Sequence, residues 1–440
     1  MTSVYNTDDD DEEDHAMALD HLPTMTPAAK GQHDHPLDLA VDSTADHDPE
    51  DDVMQDVIEA DDPCEEEEED DDDTDLQSIY THTHAAAAAQ NYPPVARTYR
   101  TETPYLTTES LAGNSDLAAS TRSLWAQDLD YREIHDRLYC REWFMPIDEI
   151  EQLRLSLNHQ VFLHVLHGEH TTVKLDNPQH ILDVGTGTGE WAIKMAETFP
   201  DCEVVGTDIA AVAETSSVPM NVFFEIEDAE EWDRSPDLYD LIHLRTMMGA
   251  FRDWRYIYEC AYYSLKPGGW IELQDFDATE SEMRFAQQFS PDSAIHRLFE
   301  DLEIAADRSG RRRGPAYLDP HLFMDAGFVD VRVTEYQIPI SVAEKSAGKI
   351  WLISCLDSLE AGCLRLLTEQ MGWDPDECKI ACESVAREMA ELAKDPAKSE
   401  GLVVKAVVIV ARKPEDAPES TGPPPQMRDR SRSASLSTGS

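Results

Sequence analysis

The sequence predicts an α/β fold, a doubly wound and mostly parallel sheet of seven strands, and three observations predict it. Ile181-Leu182-Asp183-Val184 is an apolar run that meets a glycine turn, Gly185-Thr186-Gly187-Thr188-Gly189. An amphipathic stretch follows, with Trp191, Met195, Ala196 and Phe199 at near-helical spacing, and Pro200-Asp201 stops it. A second apolar run, Glu203-Val204-Val205-Gly206-Thr207, then delivers Asp208 at its end. Strand, glycine turn, helix, strand and acid within about 30 residues is how an open α/β sheet begins.

The spacing of the turn narrows its ligand. A dinucleotide site is G-x-G-x-x-G, and a P-loop ends in Gly-Lys-Ser/Thr. This turn is G-x-G-x-G after an acid, with no lysine. Bare glycine backbone lets a ligand lie close. Asp208 is placed to accept from both hydroxyls of a ribose, and Asp183 to attract a cationic ligand end. A ligand with an amino-acid end, a ribose and no phosphate fits, which is S-adenosylmethionine. The competing reading is a glycine turn in another kind of α/β enzyme.

The other elements follow in order. Residues 1–118 are rich in Asp, Glu, Thr, Pro, His and Ala, with acid runs at Asp8–Asp11 and Glu65–Asp73. Such a segment buries too little apolar surface to offset its ordering entropy, so a disordered acidic tail is expected. Within it, Val53-Met54-x-x-Val57-Ile58 has the acidic–hydrophobic pattern of an interaction segment; a merely solubilising tail is the alternative. A helical cap is expected over 119–175, where Tyr131, Ile134, Leu138, Tyr139, Trp143 and Phe144 precede a helix opened by Asp148-Glu149.

After Asp208, Val222–Ile226 reads as the third strand and Tyr239–Leu244 as the fourth. A helix over Asp253–Leu265 and a turn at Lys266-Pro267-Gly268-Gly269 lead to a fifth strand, Trp270–Gln274. A helix over 291–308, the basic loop Arg311-Arg312-Arg313, and a strand beginning Val329-x-Val331-x-Val333 come next. A helical insertion covers 341–395, and Gly401–Arg412 is a buried last strand. The last two strands are expected to pair as a hairpin, leaving an antiparallel edge strand. That makes 119–412 one domain, and 413–440 a second disordered tail.

The totals bound the partners. The formal charge is −55, and residues 1–80 alone hold 30 acids against the single base Lys30. No stretch is basic enough to track a phosphate backbone, so direct nucleic-acid binding is not expected. An anionic membrane would be repelled, no apolar run reaches the ~18 residues of a span, and the N-terminus lacks the pattern of a signal peptide. Eight cysteines without a secretory signal read as reduced thiols of an intracellular protein. Cys378 and Cys382 form the only close pair and read as buried small hydrophobes, so no metal site is expected.

Taken together, these residues resemble the class I S-adenosylmethionine-dependent methyltransferases, and more narrowly the LaeA-like methyltransferases of fungal secondary metabolism. The resemblance is carried by Phe144-Met145-Pro146-Ile147-Asp148-Glu149, ILDVGTGTGEWAI, GTDIA, FEIEDAEE, DLIHLRTMMGAFRDW and SLKPGGWIELQDF, over roughly 125–412. It implies that Asp183, Gly185, Thr186, Gly187 and Gly189 serve the methionine end of the cofactor. It implies Asp208 and Ile209 for the ribose side, and Asp228 with Ala229 for the adenine. His243 falls where such enzymes present a residue toward the transferred methyl, as the candidate base. Protein partners in a velvet-type complex, and a place in nucleus and cytoplasm, come from the resemblance alone. Two departures stand out: Glu190 replaces an apolar residue, and Ala210-Ala211-Val212-Ala213 replaces a Pro-rich turn.

Methyl transfer from a sulfonium needs alignment and exclusion of water, and a base only where the nucleophile is protonated. His243 has a suited intrinsic pKa, although a structurally satisfied histidine at a strand end is an equal reading. Glu272, Gln274 and Asp275 are candidates to contact the acceptor, which the sequence leaves unidentified. Three functions remain open: a LaeA-like regulator of secondary metabolism, favoured by family association; a methyltransferase of a small metabolite; and a non-catalytic scaffold, disfavoured by the intact glycine turn.

Overall fold

A computed structural model describes residues 54–59 (backbone only), 129–277, 283–343 and 345–427. The remainder of the expected acidic tail, the start of the cap and the end of the C-terminal tail lie outside the described residues. Ten strands occur among the described residues. In chain order they are β1 (Met54–Glu59), β2 (Tyr131–Ile134), β3 (Arg137–Cys140), β4 (His180–Val184), β5 (Glu203–Asp208), β6 (Val222–Ile226), β7 (Tyr239–Arg245), β8 (Leu265–Asp277), β9 (Val329–Pro339) and β10 (Val403–Arg412). Eight of them form one sheet in the order β1-β9-β10-β8-β7-β4-β5-β6.

The seven strands expected from sequence are all in this sheet, and β1 adds an eighth, lying parallel to β9. The stretch read as an interaction segment within a disordered tail is therefore a sheet strand over Met54–Glu59. β9 and β10 do pair antiparallel, but β10 is not an edge. It lies between β8 and β9 and runs antiparallel to both. A strand paired on both sides and covered on both faces reads as a continuous apolar run, and Val404, Ala406, Ile409 and Ala411 are indeed fully buried.

Helices cover both faces. α1 (Glu149–Val165), α2 (Glu190–Thr198), α4 (Ala294–Ser309), α6 (Ala347–Leu366) and α7 (Pro375–Lys394) share one core, through Phe162, Trp191, Leu298, Leu352 and Val385. α3 (Trp254–Ser264) and α5 (Pro320–Asp325) build the other through Ile257 and Phe323. The parallel winding starts at β4, runs outward to β5 and β6, then returns to β7 on the opposite side of β4. A crevice must open where strand order reverses, at the carboxyl ends of β4 and β7.

The cap is not wholly helical. Its first part is the β2–β3 hairpin, which turns through His135 and Asp136 at φ 54° and 67°. Two left-handed residues make the tight turn that matches strand twist. Arg137 then ties the cap together, its Nε and Nη2 donating to Asp148 at 2.6 and 3.0 Å. Asp148 in turn accepts from Glu151 N and caps α1.

Two further readings are corrected at β8. Lys266–Gly269 is not a free turn but the start of β8, where Gly268 N donates to Lys413 O and Lys413 N to Gly269 O. Nor is the chain from Lys413 a disordered tail at its beginning. Lys413 is fully buried, and its Nζ donates to Asp237 Oδ1 (2.6 Å), Tyr262 O, Leu265 O and Ser420 Oγ. Burial raises the Asp237 carboxyl, but the bonds from Lys413 and Ser420 outweigh it and hold the group below its usual range. Removing one partner of such a pair strands the other. Lys413→Met should therefore destabilise the chain by about 1–3 kcal/mol, read as a lowered urea midpoint with an unchanged slope.

Candidate active site

At the crevice lies a cavity of about 590 Å³, lined by Gly185, Gly187, Asp208, Ile209, Asp228 and Ala229 among others. The glycine turn is held by hydrogen bonds to the next strand. Gly185 N and Thr186 N both donate to Thr207 O at 2.8 Å, and Gly187 N donates to Asp208 Oδ2 at 2.9 Å. Gly185, Gly187 and Gly189 all have left-handed backbone, at φ 72°, 54° and 82°. At Gly189 a Cβ would also stand 2.5 Å from Phe224 Cζ, so the turn excludes any other residue there.

Asp208 closes the arrangement, its Oδ1 accepting from Ala210 N at 3.1 Å. Burial raises this carboxyl, and the N–H groups of Gly187 and Ala210 oppose the shift. Each oxygen keeps lone-pair capacity for a second donor, as a ribose diol requires. Further along, Asp228 accepts from Glu230 N at 2.9 Å and pairs with Arg141 at 3.2 Å. Ile209, Val212 and Ala229 supply apolar wall around that end. The turn backbone, the Asp208 carboxylate and the apolar residues beside Asp228 thus line one cavity.

Three of the expected cofactor residues stand behind the wall rather than in it. Asp183 is buried, with Oδ2 accepting from Thr186 Oγ1 at 2.6 Å and Oδ1 meeting His243 Nδ1 at 2.8 Å. Thr186 and Gly189 shape the turn. Glu190 also faces away, accepting from Ser156 Oγ at 3.1 Å.

His243 does not line the cavity, which speaks against its reading as the candidate base. The residue is fully buried outside the cavity lining, stacked on Trp191 at 3.7 Å and 2°. The reason is strand length. β7 runs two residues beyond His243, so its end presents Arg245 and Thr246 to the cavity instead. Thr246 has φ 52°, rare for a β-branched residue and a mark of local strain. Arg245 escaped the sequence reading; its place just past the apolar part of β7 was the available signal.

On the acceptor side, Glu272 and Gln274 are buried away from the cavity, bonded to Thr172 and to His170 O. Asp275 does line it, accepting from Met247 N at 2.7 Å and Phe276 N at 2.8 Å. Burial pushes this carboxyl up to about 6, against the Tyr317 hydroxyl and neighbouring N–H groups. Trp143, Phe144, Phe276, Phe285, Trp351 and Leu359 give the cavity an apolar wall. Among the described residues no cluster of three or more His, Cys, Asp or Glu is arranged to hold a metal.

The chain is similar to known methyltransferases. A family model described as a methyltransferase domain matches residues 157–321. Methyltransferase pytC of Aspergillus terreus is 31% identical over 69% of this chain and 94% of its own length. Secondary metabolism regulator LAE1 of Cochliobolus heterostrophus is 31% identical over 56% of this chain and 84% of its own. Protein-methionine methyltransferase laeA of Emericella nidulans is 30% identical over 43% and 50%.

Two outcomes are expected at this site. Gly187→Val should abolish S-adenosylmethionine binding in calorimetric titration while circular dichroism stays that of the wild type, because a side chain must enter the turn at positive φ. Asp275 is the second. As its base form grows with pH through about 6, kcat should rise over that range and level off above it. The same raised value means its stability contribution is full below the unfolded value of 3.8 and is lost as pH rises through about 6. Asp275→Asn should lower kcat by roughly 10² or more, flatten that limb of the pH profile and leave cofactor affinity unchanged.

Proposed function

We propose a function that starts from membership: the chain belongs to the S-adenosylmethionine-dependent methyltransferases, among the relatives of the pytC and LaeA proteins, and its acceptor is a small organic molecule of secondary metabolism. When bound, the cofactor supplies a methyl group on a sulfonium, already activated for in-line displacement. The chain's own residues do the rest. Gly185 and Gly187 give backbone to the methionine end, Asp208 accepts from the ribose, and Asp228 with Ala229 borders the adenine. Asp275 takes a proton from a nucleophile that arrives protonated. The apolar wall aligns the acceptor and excludes water.

The observation that carries the small-acceptor reading is this wall. Six large apolar residues from four parts of the chain meet over one cavity. Such a lining suits a flat hydrophobic molecule that is mostly buried when bound. A second reading keeps the fold and cofactor but makes a protein the acceptor, within a nuclear regulatory complex. The names of the LaeA relatives and the acidic N-terminal segment favour it.

Labelled cofactor separates the two. The full chain is incubated with methyl-tritiated S-adenosylmethionine and a fungal lysate, which is then split into solvent-extractable and acid-precipitable fractions. Label in the extractable fraction, lost in Asp208→Ala, is expected. Label confined to precipitated protein would replace the small acceptor with the regulatory reading.

A further inference from the structure

Seven arginines line the cavity. Charges of this kind are tolerated near a protein interior when an opposite charge meets them, and six of the seven follow that rule. Arg141 pairs with Asp228, Arg154 with Glu151, and Arg311 with Glu230. Arg252 reaches Glu142 and Glu230, Arg132 reaches Asp130, and Arg313 reaches Glu303. Arg245 differs: among the described residues no carboxylate comes within ion-pair distance of it.

What Arg245 does touch is neutral. Its Nη2 lies 2.9 Å from His159 Nδ1, and its guanidinium carbon is 5.8 Å from the centre of the Phe162 ring. Burial pushes His159 down to about 3, so the ring is uncharged at neutral pH and its Nδ1 accepts from the arginine. Asp183, Glu190 and Glu272 act on Arg245 from a distance, but none of the three comes within ion-pair distance of it, and each already accepts a bond elsewhere through at least one oxygen. Asp183 serves Thr186 and His243, Glu190 serves Ser156, and Glu272 serves Thr172. One edge of the guanidinium is therefore oriented by a neutral histidine and a ring face. Its remaining donors have no protein anion to meet.

The location of this cation is specific. In the β4–β7 register Val184 pairs with Leu244, so Arg245 stands level with Gly185 of the glycine turn. It ends β7 after the buried run Leu241–Leu244 and precedes the strained Thr246, so its backbone position is fixed by the sheet. A planar guanidinium matches a carboxylate in shape as well as charge.

We propose that Arg245 is the carboxylate anchor of the cavity, holding an acid group that a ligand brings because the protein supplies none. The inference rests on the methyltransferase reading and names two sources of that group. One is the methionine carboxylate of the cofactor, for which the level of Gly185 speaks. The other is an acid group on the acceptor, which would set the acceptor class as aromatic or polycyclic carboxylic acids.

Calorimetric titration of the full chain tests it, comparing wild type, Arg245→Met and Arg245→Lys. The first arm uses S-adenosylmethionine and its decarboxylated form. The second uses 1-naphthoate and 1-naphthamide on protein saturated with S-adenosylhomocysteine. Arg245→Met is expected to lose at least tenfold in affinity for one carboxylate ligand while binding the carboxylate-free counterpart within twofold. A loss in the first arm identifies the cofactor as the source, and a loss in the second identifies the acceptor. Arg245→Lys keeps the charge without the fork and should lose less. Unchanged binding of both carboxylates by Arg245→Met overturns the anchor. So does a wild-type chain that discriminates in neither arm, a result that needs no variant to fold. Failure of the wild type to bind any form of the cofactor counts against the methyltransferase reading instead, and the naphthoate pair run on cofactor-free protein then decides the anchor separately.

Discussion

A single carboxylate organises the cofactor side of this protein. Asp208 reaches back from the end of β5 to the Gly187 N–H and forward to the Ala210 N–H. Together with Thr207 O, which accepts from Gly185 and Thr186, it fixes the turn between β4 and α2 to the neighbouring strand. Turn backbone and the Asp208 carboxylate are thereby tied into one unit. Its price is a buried charge, reflected in the upward push on the Asp208 carboxyl. That charge is tolerable because the backbone donors are already aimed at it, and because the ligand it serves carries donors of its own. The glycines are needed because the turn runs through left-handed backbone at Gly185, Gly187 and Gly189.

This unit was legible in the sequence because everything that defines it is local. Glycine spacing, the apolar runs and the acid at a strand end all fall within 181–208, and each carries its own chemistry. What depended on distant contacts was harder to see. His135-Asp136 does not look like Asn-Gly, yet it takes the same left-handed turn, so a hairpin was hidden in what read as a helical cap. Lys413 opens a stretch of Pro, Glu and Asp that resembles a tail. Only the fold reveals that Asp237, 176 residues earlier, waits for it. β10 read as a buried strand, but its neighbours could not be known without the sheet order. The His243 assignment failed on a smaller margin, two residues of strand, which was enough to turn a candidate base into a packed ring under Trp191.

The overall charge of −55 is a poor guide to the site. Along the cavity, positive and negative groups are matched nearly one to one, and the match is geometric rather than statistical. Arg137 links hairpin, α1 and α6 through Asp148 and Glu360. Arg252 and Arg311 share Glu230. Such pairs contribute little to stability when exposed, but here they fix the relative positions of the cap, the loop after β7 and the loop after α4. The unmatched Arg245 gains its meaning from that background. A lone cation on a poorly paired surface would be unremarkable, whereas a lone cation among paired ones marks a place left for a ligand.

The two halves of the cavity differ in how far they can be inferred from relatives. The cofactor half lies within 157–321, the span the methyltransferase family model matches. Much of the acceptor half does not. Trp143 and Phe144 precede that span, and Trp351 and Leu359 follow it, on the cap and on the helical insertion before β10. These segments hang on the sheet without being part of its winding, so their sequences can change while the cofactor turn stays intact. The chemistry shared with relatives is therefore methyl transfer itself. On the proposed reading, the molecule that receives the methyl meets residues brought from both sides of that span.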